Sequence, residues 1–326
     1  MIKKLLLLSV SMVLTFVVGM SVYANRTLPL PMTPFEFELQ QGGHLKSMAR
    51  ELHVAGLLEQ DWAFVWLVRL LGKSSEIKAG YYALQQPVTP LELLEIFHKG
   101  AVIQRQVSII EGWSFKQFRE VLNTNPDLKH VTKDWSDAEI LKNIGATEAH
   151  PEGMFFPDTY RFAVGSRDIT IFKHAYQTMQ QRLQEAWTNR ESNLPLKTPY
   201  EALILASIVE KETGAPSDRS MIAGVFVNRL RRGMRMQTDP TVIYGMGAKF
   251  DGNLRRRDLK TDTIYNTYTR KGLPPTPIAL PSLASLQAAL HPAKTKALYF
   301  VARGDGSSQF SNNLIKHNRA VKKYQQ

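Results

Sequence analysis

The stretch LLLLSVSMVLTFVVGMSVYA, residues 5 to 24, contains no charged side chain. As a helix, twenty residues extend about 30 Å, the thickness of a bilayer's hydrocarbon core. Lys3 and Lys4 stand on its N-terminal side and favour keeping that end in the cytoplasm, with everything after residue 25 exported. Val22-Tyr23-Ala24 has the small-residue look of a signal-peptide cleavage site. The apolar run is longer than a usual signal core, so a retained single-pass anchor is expected over residues 1–25. A body outside the cytoplasm does not meet DNA, which removes nucleic acid from the partners that a net charge of +12 would otherwise suggest. An anionic membrane surface or an acidic polymer remains.

No cysteine is present, so disulfide scaffolds, thiolate metal sites and a Cys nucleophile are excluded. RTLPLPMTP (26–34) holds three prolines and reads as a short stiff linker. FEFEL (35–39) alternates as a strand does, and Gly42-Gly43 suggests a turn. Helices are expected over 44–58, over 61–72 with Asp61 as cap, and over 89–100 with Pro90 in the first turn and Gly100 past the end. GYYAL (80–84) reads as a strand. QVSIIEGWSFKQFREVL (106–122) repeats the strand, Gly turn and helix layout of residues 35–52, a weak internal repeat of small α+β units. Trp62, Phe64, Trp66, Tyr81 and Tyr82 either form a sugar-stacking face or, more commonly for aromatics, core. Further on, helices are expected over 167–187, 199–212, 217–232 and 282–290, a strand over 297–303 and a basic helix at the C-terminus. Residues 233–280 read as loops dense in polar and aromatic side chains, the kind of segment that carries function.

The most informative segment is LILASIVEKE (203–212), where a run that should be buried ends in two glutamates. A carboxylate is costly to bury unless paired or protonated. Helical spacing puts Glu210 on the face of Leu203, Ala206 and Ser207, and Glu212 on that of Leu205, Ile208 and Val209. Periodicity does not say which is enclosed, and both could be solvated at a helix end. A glutamate held in an apolar wall has a raised pKa and can serve as a general acid. Other chemistry finds little support: there is no HExxH, no GxSxG elbow and no phosphate loop after Gly245-Met246-Gly247. No metal and no cofactor is expected.

LILASIVEKET, VFVNRL, GMRMQTDPTVIYGMG, YNTYTRKGLPP, HPAKTKALYFVA and the final HN-x-AV, with KAGYYAL, EGWS and PEGMFFPDTY upstream, resemble the MltG (YceG-like) family of endolytic murein transglycosylases. The resemblance covers nearly the whole chain in the family's order. It implies an α+β protein with an N-terminal transmembrane helix, a LysM-like α+β subdomain over 35–105 and a mixed α+β catalytic domain over 106–326. It also implies an enzyme of the inner membrane, its body in the periplasm. Such an enzyme cleaves the β-1,4 bond from N-acetylmuramic acid to N-acetylglucosamine within peptidoglycan strands and leaves 1,6-anhydromuramyl ends. Partners among cell-wall synthesis enzymes and a role in terminating growing strands are implied too.

The resemblance puts the catalytic acid and base on Glu210. Gln237, Thr238, Asp239, Tyr265, Asn266 and Tyr268 are the candidates for holding sugar, with loop structure as the competing role for each. The sequence departs from the family pattern at Ser308, where a His is usual, at Thr276 and at Ile264. Two other readings stand beside the lytic enzyme: a noncatalytic peptidoglycan-binding scaffold, and a muramidase that hydrolyses the same bond. The muramidase would need a second carboxylate, and Asp239 and Glu212 are the candidates.

Overall fold

The computed structural model describes residues 2–40, 44–212 and 215–325. The Gly42-Gly43 turn lies outside the described residues. The chain divides into two compact units, residues 1–105 with 161–166, and residues 106–160 with 167–326.

The first unit opens with α1 (Ile2–Asn25), the apolar helix expected from the charge-free run. It continues as β1 (Phe35–Leu39), α2 (Leu45–Val54), α3 (Asp61–Leu70), β2 (Gly80–Leu84) and α4 (Pro90–Lys99). β1 and β2 pair antiparallel, with Phe35 opposite Leu84 and Leu39 opposite Gly80. α4 forms where its signals are strongest: Thr89 and Glu92 make a reciprocal capping box, Pro90 stands at the start, and Gly100 takes the left-handed C-cap at φ 68°. Asp61 is not the cap of α3. It is the first helical residue and accepts from the Trp62 N–H, while Gln60 stands at the cap position.

Phe64, Tyr82 and Phe97 are fully buried in the core of this unit, with their rings in edge contact and Phe37 stacked on Tyr82. The five aromatics read as one face are therefore divided. Phe64 and Tyr82 are core, whereas Trp62 and Trp66 are exposed. The proline-rich segment after α1 is docked, since Leu28 is buried and donates to the Val88 carbonyl at 2.8 Å.

β3 (Gln104–Ser108) and β4 (Thr159–Ala163) pair in a two-stranded sheet. Between them come α5 (Phe115–Asn123) and α6 (Asp137–Ile144), each opened by a serine capping box at Ser114 and Ser136. After β4 follow α7 (Asp168–Thr188), α8 (Pro199–Glu212), α9 (Arg219–Arg231), α10 (Asp239–Met246), α11 (Arg256–Lys260) and α12 (Leu283–Leu290). β5 (Tyr299–Ala302), β6 (Ser308–Ser311) and α13 (Leu314–Tyr324) complete the chain. Residues 233–280 are thus not loop throughout. Asp239-Pro240 opens α10, with Pro240 in the first turn, where a missing N–H costs nothing.

α8 is the hub of the second unit. Ala202 to Val209 are all buried, and the helix packs against α7, α9, α10 and α12. A helix enclosed on every side shows no apolar stripe. That is why its sequence pattern could not say which terminal glutamate faces what.

Candidate active site

The last turn of α8 sends its two glutamates to different places. Glu210 shares a face with Ser207, and that face meets the segment leading into α12. Ser207 Oγ accepts the Ile278 N–H at 3.0 Å. Glu210 Oε2 accepts both the Ser282 N–H at 2.9 Å and the Ser282 hydroxyl at 2.5 Å. Ser282 is itself the N-cap of α12. Glu210, expected to be the acid, therefore ties α8 to the start of α12. Glu111 lies close by, and its carboxyl is raised above the usual range by partial burial and by the charge of Glu210.

Glu212 faces a cleft of about 560 Å³ whose walls come from α9, α10, β5, β6, α13 and the segment between α11 and α12. Burial raises its pKa above the usual carboxylate range, and the nearby charge of Asp239 raises it further. The Thr238 hydroxyl, which hydrogen-bonds to it, and the Arg229 guanidinium act in the opposite direction. Of the expected sugar-holding residues, Gln237, Asp239 and Tyr268 line this cleft. Tyr268 donates to Asp239 Oδ1 at 2.5 Å, and burial together with that bond raises the phenol. Gln237 holds φ at 51°, the left-handed region that costs a non-glycine residue energy. Its N–H donates to the Thr267 carbonyl at 3.2 Å, which helps fix it there.

Asn266 and Tyr265 are outside this cleft. Asn266 is fully buried, donates to the carbonyls of Asp258, Leu259 and Thr261, and accepts the Tyr268 N–H. Through these bonds it fixes the backbone that carries Tyr268. Tyr265 packs edge-on against Tyr244 and bonds Thr276 through its hydroxyl at 2.9 Å. Thr276, one departure from the family pattern, is thus an internal partner, and Ile264, another, is exposed. Ser308, the third, lines the cleft, and its N–H donates to Asp218 at 2.6 Å.

Three further residues line the cleft, each inside a motif that stands out in the sequence. Arg229, in VFVNRL, is buried, donates through Nε to the Leu298 carbonyl at 2.7 Å and lies 5.2 Å from the Tyr299 ring centre. Tyr299, in ALYFVA, stacks on His317, in HN-x-AV, at 5.0 Å and 22°. Burial and the Arg229 charge hold the His317 imidazole below its usual range. The signal was a titratable or aromatic residue inside a motif otherwise explained by packing. Among the described residues, no group of three or more His, Asp or Glu side chains converges as a metal site would require.

A protonatable carboxyl at the base of a polar cleft, beside a carboxylate, a phenol and a strained glutamine, suits proton transfer to a bound polar substrate. Comparison with known proteins gives this arrangement a context. The YceG-like family matches residues 37–323. A curated relative named endolytic murein transglycosylase, from Bacillus subtilis strain 168, is 30% identical over 90% of this chain and 85% of its own length. One of the same name from Streptococcus pneumoniae strain D39 is 29% identical over 87% of this chain, which spans 57% of that longer protein. The 2.6 Å crystal structure of a protein described as YceG-like, from Listeria monocytogenes, superposes with a TM-score of 0.55 at 28% identity. That match covers 87% of this chain and 98% of the other. With a family match over most of its length, the chain belongs to the YceG-like family.

Proposed function

We propose that this chain is a membrane-anchored lytic transglycosylase that cuts within peptidoglycan strands, with Glu212 as its acid and base. The observation that carries this reading is the enclosure of Glu212 in a polar cleft with its pKa raised, while the Glu210 carboxylate is committed to Ser282. The names of the relatives point to murein as the substrate. In the proposed reaction, protonated Glu212 gives its proton to the glycosidic oxygen as the muramyl C1–O bond breaks. The 6-hydroxyl of the same muramyl residue attacks C1 from within the ring system. The Glu212 carboxylate then takes the proton of that hydroxyl, which restores the acid and leaves a 1,6-anhydro end. No water is consumed, so one carboxyl suffices where hydrolytic glycosidases use two. Intramolecular attack gains heavily from proximity, provided the ring is held in place. Gln237, Tyr268 and the Tyr299 ring are suited to that holding. Asp239, kept in position by Tyr268, is suited to supporting the positive charge that develops at C1.

The LysM-like reading of the first unit, strand termination and synthase partners extend this proposal from the family resemblance. A second reading, hydrolysis, is favoured by one observation: Asp239 shares the cleft with Glu212 and could activate a water. Mass spectrometry of the products made by the full chain from uncrosslinked glycan strands separates the two. Anhydromuramyl ends are expected. Reducing ends one water heavier would make the enzyme a muramidase, and the absence of any product would favour a binding protein.

A further inference from the structure

α3 has apolar residues on all sides. Its inner face, Phe64, Leu67 and Val68, is buried in the first unit. Its outer stripe, Trp62, Trp66 and Leu70 at four-residue spacing, is not covered: these residues are 55%, 47% and 57% exposed, and Leu71 beyond them is 45% exposed. A short helix that is hydrophobic all round belongs in a core or in lipid. Trp66 of this stripe meets the ring of Phe16 edge-on at 6.1 Å.

Phe16 belongs to α1, so that contact sets a depth. With Lys3 and Lys4 at the inner headgroups, Phe16 lies twelve residues beyond Lys4, about 18 Å along the helix. The hydrocarbon core is about 30 Å thick, so Trp66 would sit roughly 10 Å inside its outer boundary. Amphipathic helices that lie in the interface bury their apolar face to about that depth. Met20 and Ala24 of α1 pack with Leu67, which fixes α3 beside the anchor. Arg69, exposed between Trp66 and Leu70, can extend its apolar stem along the stripe and turn its charge toward the lipid phosphates.

We infer that the outer stripe of α3 is a lipid-binding surface, inserted into the outer leaflet beside the anchor. The occupant is the bilayer itself, because the stripe continues the lipid-facing surface of α1. This rests on the reading of α1 as a retained anchor. It gives the first unit a second attachment and holds it flat on the membrane.

The test uses the full chain reconstituted in phosphatidylglycerol and phosphatidylethanolamine vesicles, some carrying brominated acyl chains. Of the five tryptophans, none is in α1, so any quenching by bromine reports the body of the protein. Bromine is expected to quench the emission, and the Trp62→Phe/Trp66→Phe pair to remove at least half of that quenching. Trp113→Phe and Trp135→Phe should leave it unchanged. Unquenched emission from wild-type protein that sediments with the vesicles would overturn the inference while leaving the anchor intact. Protection from aqueous acrylamide without bromine quenching would overturn it too, by assigning the stripe to a protein partner. Failure to sediment with vesicles at all would overturn both the anchor and this surface.

Discussion

Two glutamates one residue apart have unlike surroundings because a helix turns about 100° per residue. Under the proposed assignment Glu210 acts as a structural carboxylate: replacing it by Gln leaves Ser282 with a weaker acceptor, and charge-assisted bonds of this kind contribute about 2 kcal/mol. Glu210→Gln is therefore expected to lower thermal stability while keeping most activity at low temperature, measurable by calorimetry alongside an assay. The charge of Asp239 raises Glu212, so removing it should lower the pKa of the acid. In Asp239→Asn the alkaline fall of the residual activity should then begin at a lower pH than in the parent, as a pH–rate profile would record. A limb that stayed in place would separate Asp239 from the acid. The sequence alone marked this segment as the centre of interest, yet the choice between its glutamates depends on what packs against each face. Asn266 depends on its surroundings in the same way. A polar side chain in a polar loop looks free until its backbone partners are known.

The elements around the site are joined by a second buried carboxyl, Glu152, which is 3% exposed. It accepts the Phe115 N–H at the start of α5 at 2.9 Å and the Tyr244 hydroxyl from α10 at 3.2 Å. Gly153 beside it has φ 80°, and a Cβ there would come within 2.4 Å of Pro277. Burial pushes Glu152 up to about 7 against the opposing effect of its hydrogen bonds. Since the folded form holds this proton more tightly than the unfolded chain, stability should fall as pH rises from about 4.5 through 7. The full change is about 3 kcal/mol. Denaturant titrations across that range should show the slope in the parent and a flatter line in Glu152→Gln; parallel lines would mean that Glu152 does not carry it. Helices with capping boxes or a terminal glycine, such as α4, were legible because those signals are local. α10 was not, because it is short, carries no side-chain cap and sits in a polar stretch, and its packing on α8 and α11 is a tertiary feature. β5 pairs with β6, so that Tyr299 stands opposite Ser311 across a Gly-rich turn.

At the scale of the whole molecule, a charge-free run of membrane length, a proline-rich stretch and a succession of long motifs are sequential features and can be read in order. The cleft cannot, because it gathers residues from 212 to 325 that only the fold brings together. Under the proposed function, the net charge of +12 suits a polymer and a membrane that are both anionic. Binding of the soluble body, lacking residues 1–25, to sacculi should therefore weaken severalfold between low and physiological salt in a pull-down assay. Salt-independent binding would assign retention to the sugars alone.

A side-by-side turnover assay of Glu212→Gln and Glu210→Gln on glycan strands, with the anhydromuramyl product quantified, decides which glutamate is the acid. Glu212→Gln is expected to lose at least about a hundredfold, as removal of a general acid does, while Glu210→Gln keeps most of the parent's activity at low temperature. Loss in Glu210→Gln with activity retained in Glu212→Gln would contradict this assignment and return the acid role to Glu210.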